Sequence, residues 1–332
     1  MRYIESPSHD AYFNMALEEV VLDGLAVRDD FFMLWQNKNA VVVGKYQNTA
    51  QEINAQFVKD TGVQVVRRLS GGGAMYQDLG NLNFTFVVEN RADDKKRLDF
   101  SAFLNPVVAA LQSLGVPAQC SGRNDILVDG KKISGNAQCR RAGRTLHHGT
   151  LLYQSNLENV ARALNPGMDK LASKAVQSVR SRVTNAAEQL ANPPSTAQFK
   201  ALLLQALFAE TAAQPYALTA QEQAHVQTLQ AEKYATWAWV YGRSPAYDLQ
   251  RERRYPFGKI TVGMRVENGR IQALDFTGDF FSARDPQELA EILQGCELRT
   301  DALRQTLDGV EIDAFIHGLD AGALRALLTG TF

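Results

Sequence analysis

An α+β fold, one large unit followed by a small one, is predicted by three features of the sequence. Through roughly the first 190 residues, short runs of β-branched and aromatic residues interleave with amphipathic helical stretches. After about residue 195 the pattern turns to longer helical segments, entered through Pro193 and Pro194. From about residue 250, strand-like and Leu-spaced helical runs start again, as a separate small α+β unit would. The division is drawn as residues 1–246 and 247–332.

Taken in order, FNMALEEVVLDG (13–24) places Phe13, Ala16, Leu17, Val20 and Val21 at helical spacing, with Glu18 and Glu19 mostly turned away and Gly24 as the stop. FFMLW from 31 and AVVVG from 40 are rich in strand formers. VQVVRRL from 63 is a strand leading into three glycines, and LNFTFVV from 82 alternates as it leaves them. The next helix carries Phe100, Phe103, Leu104, Val107, Val108, Leu111 and Leu114 and closes at Gly115, with Pro106 predicting a kink. NDILVDGKKISG reads as a hairpin turning at Asp129-Gly130, and LHHGTLLY from 146 as one more strand. Two surface-laid helices follow, in PPSTAQFKALLLQALFAE and LTAQEQAHVQTLQAEKYA. In the small unit, two strands flank Asn268-Gly269, and the stretch RSPAYDLQRERRYP before them reads as a hinge.

The 332 residues are 45% apolar and 21% charged, a soluble globular mixture. A net charge of -1 provides no positive field for nucleic acid or anionic lipid. Cys120, Cys139 and Cys296, widely spaced and odd in number, form neither a disulfide framework nor a metal pattern, which fits a reducing compartment. The first residues lack an apolar signal-peptide core, and no apolar run approaches bilayer length. A cytoplasmic protein is expected.

The run RRLSGGGAMYQDLGN raises the functional question. Three adjacent glycines are unfavourable unless something approaches too closely for a side chain. Arg67, Arg68 and Ser70 stand beside them, and bare glycine amides can form an anion-binding concavity. The run links strand to strand, so neither a Walker loop nor a dinucleotide fingerprint applies. A second Ser-Gly follows Lys131 and Lys132 past the hairpin turn. Only one of the two lysines can face a shared cleft, and spacing alone leaves both open.

RRLSGGGAMYQDLGN, GRNDILVDGKKISGNA, HHGTLL and SVRSRVTN occur in that order, and together they resemble the lipoate–protein ligase A family. WAWVYGRSP at 237 and the trailing small unit extend the resemblance over essentially the whole chain. The resemblance implies a fold related to the biotin-ligase catalytic domain, mixed β-sheets flanked by helices, with a small α+β accessory domain at the C-terminus. It also implies a reaction in which lipoate and ATP form lipoyl-AMP, and a lysine of an acceptor protein then takes the lipoyl group. ATP, Mg²⁺ and lipoate are the implied substrates and activator, with no tightly bound cofactor. The implied partners are E2 lipoyl domains and the glycine-cleavage H protein, and the implied state is a monomer. In this family a lysine precedes the I-S-G triplet, which selects Lys132 as catalytic and as a contact to both ATP and lipoate. Arg68, Gly73, Ala74, Met75 and Tyr76 match the family's ATP contacts. Ser70, Gly71, Gly72, Arg180 and Arg182 are assigned to the phosphate and adenylate loops, the segment from 174 being the one that closes over the adenylate. Asn124 and Asp125 are assigned to Mg²⁺. Trp35, Val43, Leu69, His147 and Gly149 are candidate walls of the acyl slot.

Two positions depart from the family pattern. Gln77 stands where many relatives carry histidine, and Cys139 where some carry arginine. One rival is an octanoyltransferase that works through a cysteine thioester, but LNPGMD puts Gly167 where one such group has its cysteine. A non-adenylating lipoate binder is a second rival, and a biotin ligase, whose G-R-G-R-x-x-R loop is absent, a third.

Overall fold

A computed structural model describes residues 1–47, 49–90, 99–121, 124–164, 182–209, 213–242, 249–267 and 269–330. Its strands in chain order begin with β1 (Arg2–Glu5), β2 (Phe31–Trp35), β3 (Ala40–Val43), β4 (Gln64–Arg67), β5 (Met75–Gln77), β6 (Asn81–Glu89) and β7 (Gln119–Ser121). They continue with β8 (Asp125–Val128), β9 (Lys131–Arg141), β10 (Arg144–Leu152), β11 (Gln214–Pro215), β12 (Leu249–Tyr255), β13 (Gly258–Glu267) and β14 (Arg270–Gly278). Eight of them form one mixed sheet in the order β11-β1-β2-β6-β10-β9-β8-β7. The β11, β1 and β2 neighbours run parallel, and the pairings from β2 onward are antiparallel. β4-β3-β5 is a small second sheet that carries the glycine run between β4 and β5.

The Ala11–Asp23 helix begins where Asp10 accepts a hydrogen bond from the Phe13 N–H and ends at Gly24, whose φ of 122° suits glycine. It lies on one face of the large sheet, with Met15, Ala16, Val20 and Val21 in the core. Glu18 and Glu19 are buried rather than turned outward. Glu18 turns onto the large sheet, against Thr85 of β6 and His148 of β10, while a second helical layer, Ala220–Leu229 and the π turn Gln230–Tyr234, covers Glu19. Glu19 is matched there by Lys233 at 2.7 Å, Arg141 at 2.8 Å and the Tyr234 hydroxyl at 2.6 Å. Burial alone would raise its pKa, but these partners hold it below the ordinary carboxylate value. Helices Ser101–Ser113 and Thr196–Leu207 cover the opposite face over an aromatic core that includes Phe84, Phe86 and Phe100. The first of them runs on through Pro106, which is exposed. The Thr196–Leu207 and Ala220–Leu229 helices each start on a capping box, at Ser195 and Thr219.

The C-terminal unit has its own three-stranded sheet, β12-β13-β14, and its own core from Ile260 to Leu328. β12 occupies half of the stretch expected to be a hinge, because its residues pair with β13 from Leu249 to Tyr255. The expected boundary at 246 and Asn268 lie outside the described residues, while Gly269 holds a φ of 73° at the turn. Among the described residues no helix is long and apolar enough to cross a membrane.

Candidate active site

The glycine run is clamped from two sides. Arg68, buried beneath it, donates to the carbonyls of Gly71 (2.7 Å) and Gly73 (2.9 Å) and to Ser70 Oγ (3.1 Å). From above, the C-terminal unit approaches: the Gly72 N–H donates to the Phe280 carbonyl at 2.7 Å. A side chain on Gly71 would collide with that carbonyl, and one on Gly72 would meet the Phe281 ring at 2.8 Å. Gly73 alone of the three has room for a side chain, which would reach only an ordinary contact with Asp279 at 3.8 Å. The close approach foretold by the three glycines therefore comes, at the first two, from protein. Arg67 is also structural. It is 1% exposed and donates to the carbonyls of Gly44, Lys45, Gln47, Trp239 and Val240 and to Thr49 Oγ1.

Lys132 is set by the β8–β9 hairpin, where Asp129 and Gly130 take φ of 48° and 73° as a tight turn requires. Its aliphatic end folds over Gly135, where an added side chain would sit 2.8 Å from Nζ. Nζ lies 2.8 Å from Asp125 Oδ1, so Asp125 is its counter-ion. Lys131 points the other way, into a polar groove beside Asn156 and Glu188. The backbone of Lys132 is stitched to the segment entering from residue 182: its N–H donates to the Arg182 carbonyl at 2.8 Å and its carbonyl accepts from Thr184 N–H at 3.1 Å. Arg180 and Gly167 lie outside the described residues.

Two cavities meet at this lysine. The narrower, about 130 Å³, has apolar walls from Met15, Trp35, Val42, Ala137 and Phe281. The broader, about 600 Å³, runs past Tyr76, Asp125, Ser134 and Arg182. Ala74, Met75, Lys132, Gly135 and Thr150 line both. Asn124 donates its side-chain N–H to the Asn136 carbonyl at 2.7 Å, and Asn136 reciprocates at 2.9 Å. Among the described residues no group of three or more His, Cys, Asp and Glu could hold a metal ion.

A buried polar chain backs the narrow cavity. Ser70 Oγ and His148 Nε2 share a 2.6 Å hydrogen bond, and His148 Nδ1 lies 3.0 Å from both oxygens of Glu18. Thr85 donates to Glu18 at 2.5 Å and accepts from Trp35 Nε1 at 2.9 Å. Burial draws the Arg68 guanidinium down to about 10, and Glu18 opposes that shift as the compensating negative charge.

His147, expected at the acyl slot, faces the opposite side of β10. Successive strand residues alternate, so placing His148 at the cavity sends His147 into the aromatic core. There it stacks on Phe103 at 4.6 Å and is held well below its ordinary pKa by burial first and His148 second. Val43 and Leu69 pack in cores and do not line the cavity, whereas Trp35 and Gly149 do. Gln77 is locked in an amide ladder, accepting from Asn37 at 2.7 Å and donating to Asn83 at 2.8 Å. Burial, then Glu18, pushes the Cys139 thiol up to about 12. Phe281 belongs to no motif, and no local spacing in the sequence ties it to the glycines.

A family model described as the lipoyl protein ligase A/B catalytic domain matches residues 10–208, and one described as the bacterial lipoate protein ligase C-terminus matches 244–328. The chain is similar to Lipoate-protein ligase LplJ of Bacillus subtilis, with 39% identity over 323 residues, 96% of this chain and 97% of that one. It is similar to Lipoate–protein ligase 1 of Staphylococcus aureus, with 38% identity over 320 residues, again 96% and 97%. The solved structure of P. falciparum LipL1 in complex with lipoate has the same fold, with a TM-score of 0.79, 20% identity and 99% of each chain covered.

Proposed function

Since the chain belongs to the lipoate–protein ligase family, we propose that it activates lipoate with ATP and passes the lipoyl group to a lysine of an acceptor protein. One observation carries this reading: a single ammonium, Lys132, stands where a narrow apolar-walled cavity opens into a broad one that runs past Asp125, Ser134 and Arg182. The acyl chain lies in the first and the nucleotide in the second, so the carboxylate and the α-phosphate meet at Lys132. A carboxylate oxygen attacks the α-phosphorus, and the bond to pyrophosphate breaks. An amine of the acceptor then attacks the acyl carbon, AMP leaves as the amide forms, and the amine's proton passes to solvent. Negative charge grows at the same place in both transition states. One such fixed cation is worth on the order of 10²–10³ in rate.

The other residues fit supporting roles. Arg68 holds the glycine loop, and Ala74, Met75 and Tyr76, which follow it, line the broad cavity proposed for the nucleotide, with Gly73 beside them on the narrow one. Ser70, Gly71 and Gly72 support that loop from behind, and Trp35 and Gly149 line the acyl slot. Mg²⁺ would arrive with ATP as substrate, and Asp125, the carboxylate paired with Lys132, would offer it an oxygen, with Asn124 beside it. Arg182, with Arg180, belongs to the segment that covers the adenylate and limits its hydrolysis. E2 lipoyl domains and the glycine-cleavage H protein are the proposed acceptors. Purified protein given ATP, Mg²⁺, lipoate and an acceptor domain is expected to release pyrophosphate and form the lipoyl amide. Use of an octanoyl-carrier donor with ATP ignored would contradict the proposal.

A further inference from the structure

We propose that Phe281, a residue of the C-terminal unit, forms the far wall of the acyl slot and sets the length of acid that the enzyme accepts. Its side chain is 4% exposed, lines the narrow cavity and packs into the catalytic core against Phe100, with ring centroids 5.4 Å apart. Its backbone is pinned on two sides. The preceding carbonyl accepts from Gly72 at 2.7 Å, and its own carbonyl accepts from His317 at 2.9 Å. Nearby, Phe280 stacks on Tyr46 at 5.0 Å and Ser282 bonds the Tyr46 hydroxyl at 2.6 Å. Gly72 is bare because any side chain there would meet the ring.

Adjacency along the sheet places this ring at the end of the cavity away from the lysine. Lys132 packs over Gly135, and Thr150 reaches the Gly135 carbonyl. Two residues along each strand lie Ala137 and His148, which face each other in register. His148 bonds Ser70, Ser70 bonds Arg68, and Arg68 and Phe281 are the two groups that crowd Gly72. Two strand residues span about 7 Å. An acid with its carboxylate at Lys132 therefore directs its tail toward Phe281. This inference rests on the acyl-activating reading above and adds that the slot is incomplete without the C-terminal unit.

The test compares ATP-dependent kcat/KM for octanoate, decanoate and dodecanoate in the wild type, Phe281→Ala and the milder Phe281→Leu, each checked for a cooperative thermal transition. A methylene or two of added room is worth roughly tenfold in discrimination. Phe281→Ala is expected to raise the decanoate-to-octanoate ratio by about that factor, with Phe281→Leu in between. If either folded variant lowers all acids by one common factor and leaves the ratio unchanged, Phe281 is only a docking residue and the proposal fails. A wild type that consumes ATP with none of these acids or with lipoate would instead remove the reading on which it rests.

Discussion

His147 and His148 are neighbours in the chain with opposite roles in the fold. His147 sits neutral among Phe84, Phe86, Phe100 and Phe103. Its folded-state pKa lies below the unfolded value near 6.5, so the unfolded chain takes up the proton first. That contribution to stability is complete above about pH 6.5 and declines as the pH falls below it, with a slope of at most about 1.4 kcal/mol per pH unit. His147→Phe is expected to flatten the fall in urea midpoint between pH 7 and pH 5 relative to the wild type, and parallel curves would refute this placement of the histidine. Glu18 is the counter-charge of a chain that ends on buried Arg68. Glu18→Gln should therefore lower unfolding free energy by about 3 kcal/mol, the lower end for breaking a buried charged arrangement. At Cys139 the thiol is held protonated by burial. Native-state alkylation is expected to label exposed Cys120 and leave lipoylation intact, whereas loss of activity in step with labelling would revive the thioester rival.

Among the elements, those fixed by local chemistry were legible in the sequence. The Asp129-Gly130 turn, the Gly24 stop and strands β4 and β6 lie where turn residues and apolar spacing put them, whereas three-residue β5 is too short to leave a pattern. β12 was not legible either, because LQRERRY alternates charge more than hydrophobicity and gains its pairing only from β13. Glu19 reads as solvated because periodicity is silent about a second layer added some 200 residues later, and Glu18 because its polar partners on the sheet, His148 and Thr85, leave no mark on helical spacing. Arg67 stands beside the glycine run in the sequence as a charged fork for an anion, yet it ties β4 to two loops far apart in the chain. Arg67→Lys keeps the charge but loses the fork, leaving several buried carbonyls without donors. A loss of about 3 kcal/mol or more in a denaturant titration is expected, and a neutral outcome would show those contacts to be dispensable.

At the scale of the whole molecule, the site is assembled from parts distant in sequence. The glycine loop comes from the β4–β5 connection, the lysine from the hairpin, the buried carboxylate from the first helix and a wall from the C-terminal unit. Motif order revealed the family, and with it Lys132, yet the packing of the C-terminal unit against Gly71 and Gly72 had no signature in either partner alone. The most direct measurement takes Lys132→Ala and Lys131→Ala through the two half-reactions separately, following lipoate-dependent pyrophosphate release and then amide formation from supplied lipoyl-AMP. Both steps are expected to fall by on the order of 10²–10³ in Lys132→Ala and to stay near wild type in Lys131→Ala. Equal effects of the two substitutions, or a folded Lys132→Ala that turns over at close to the wild-type rate, would contradict the account.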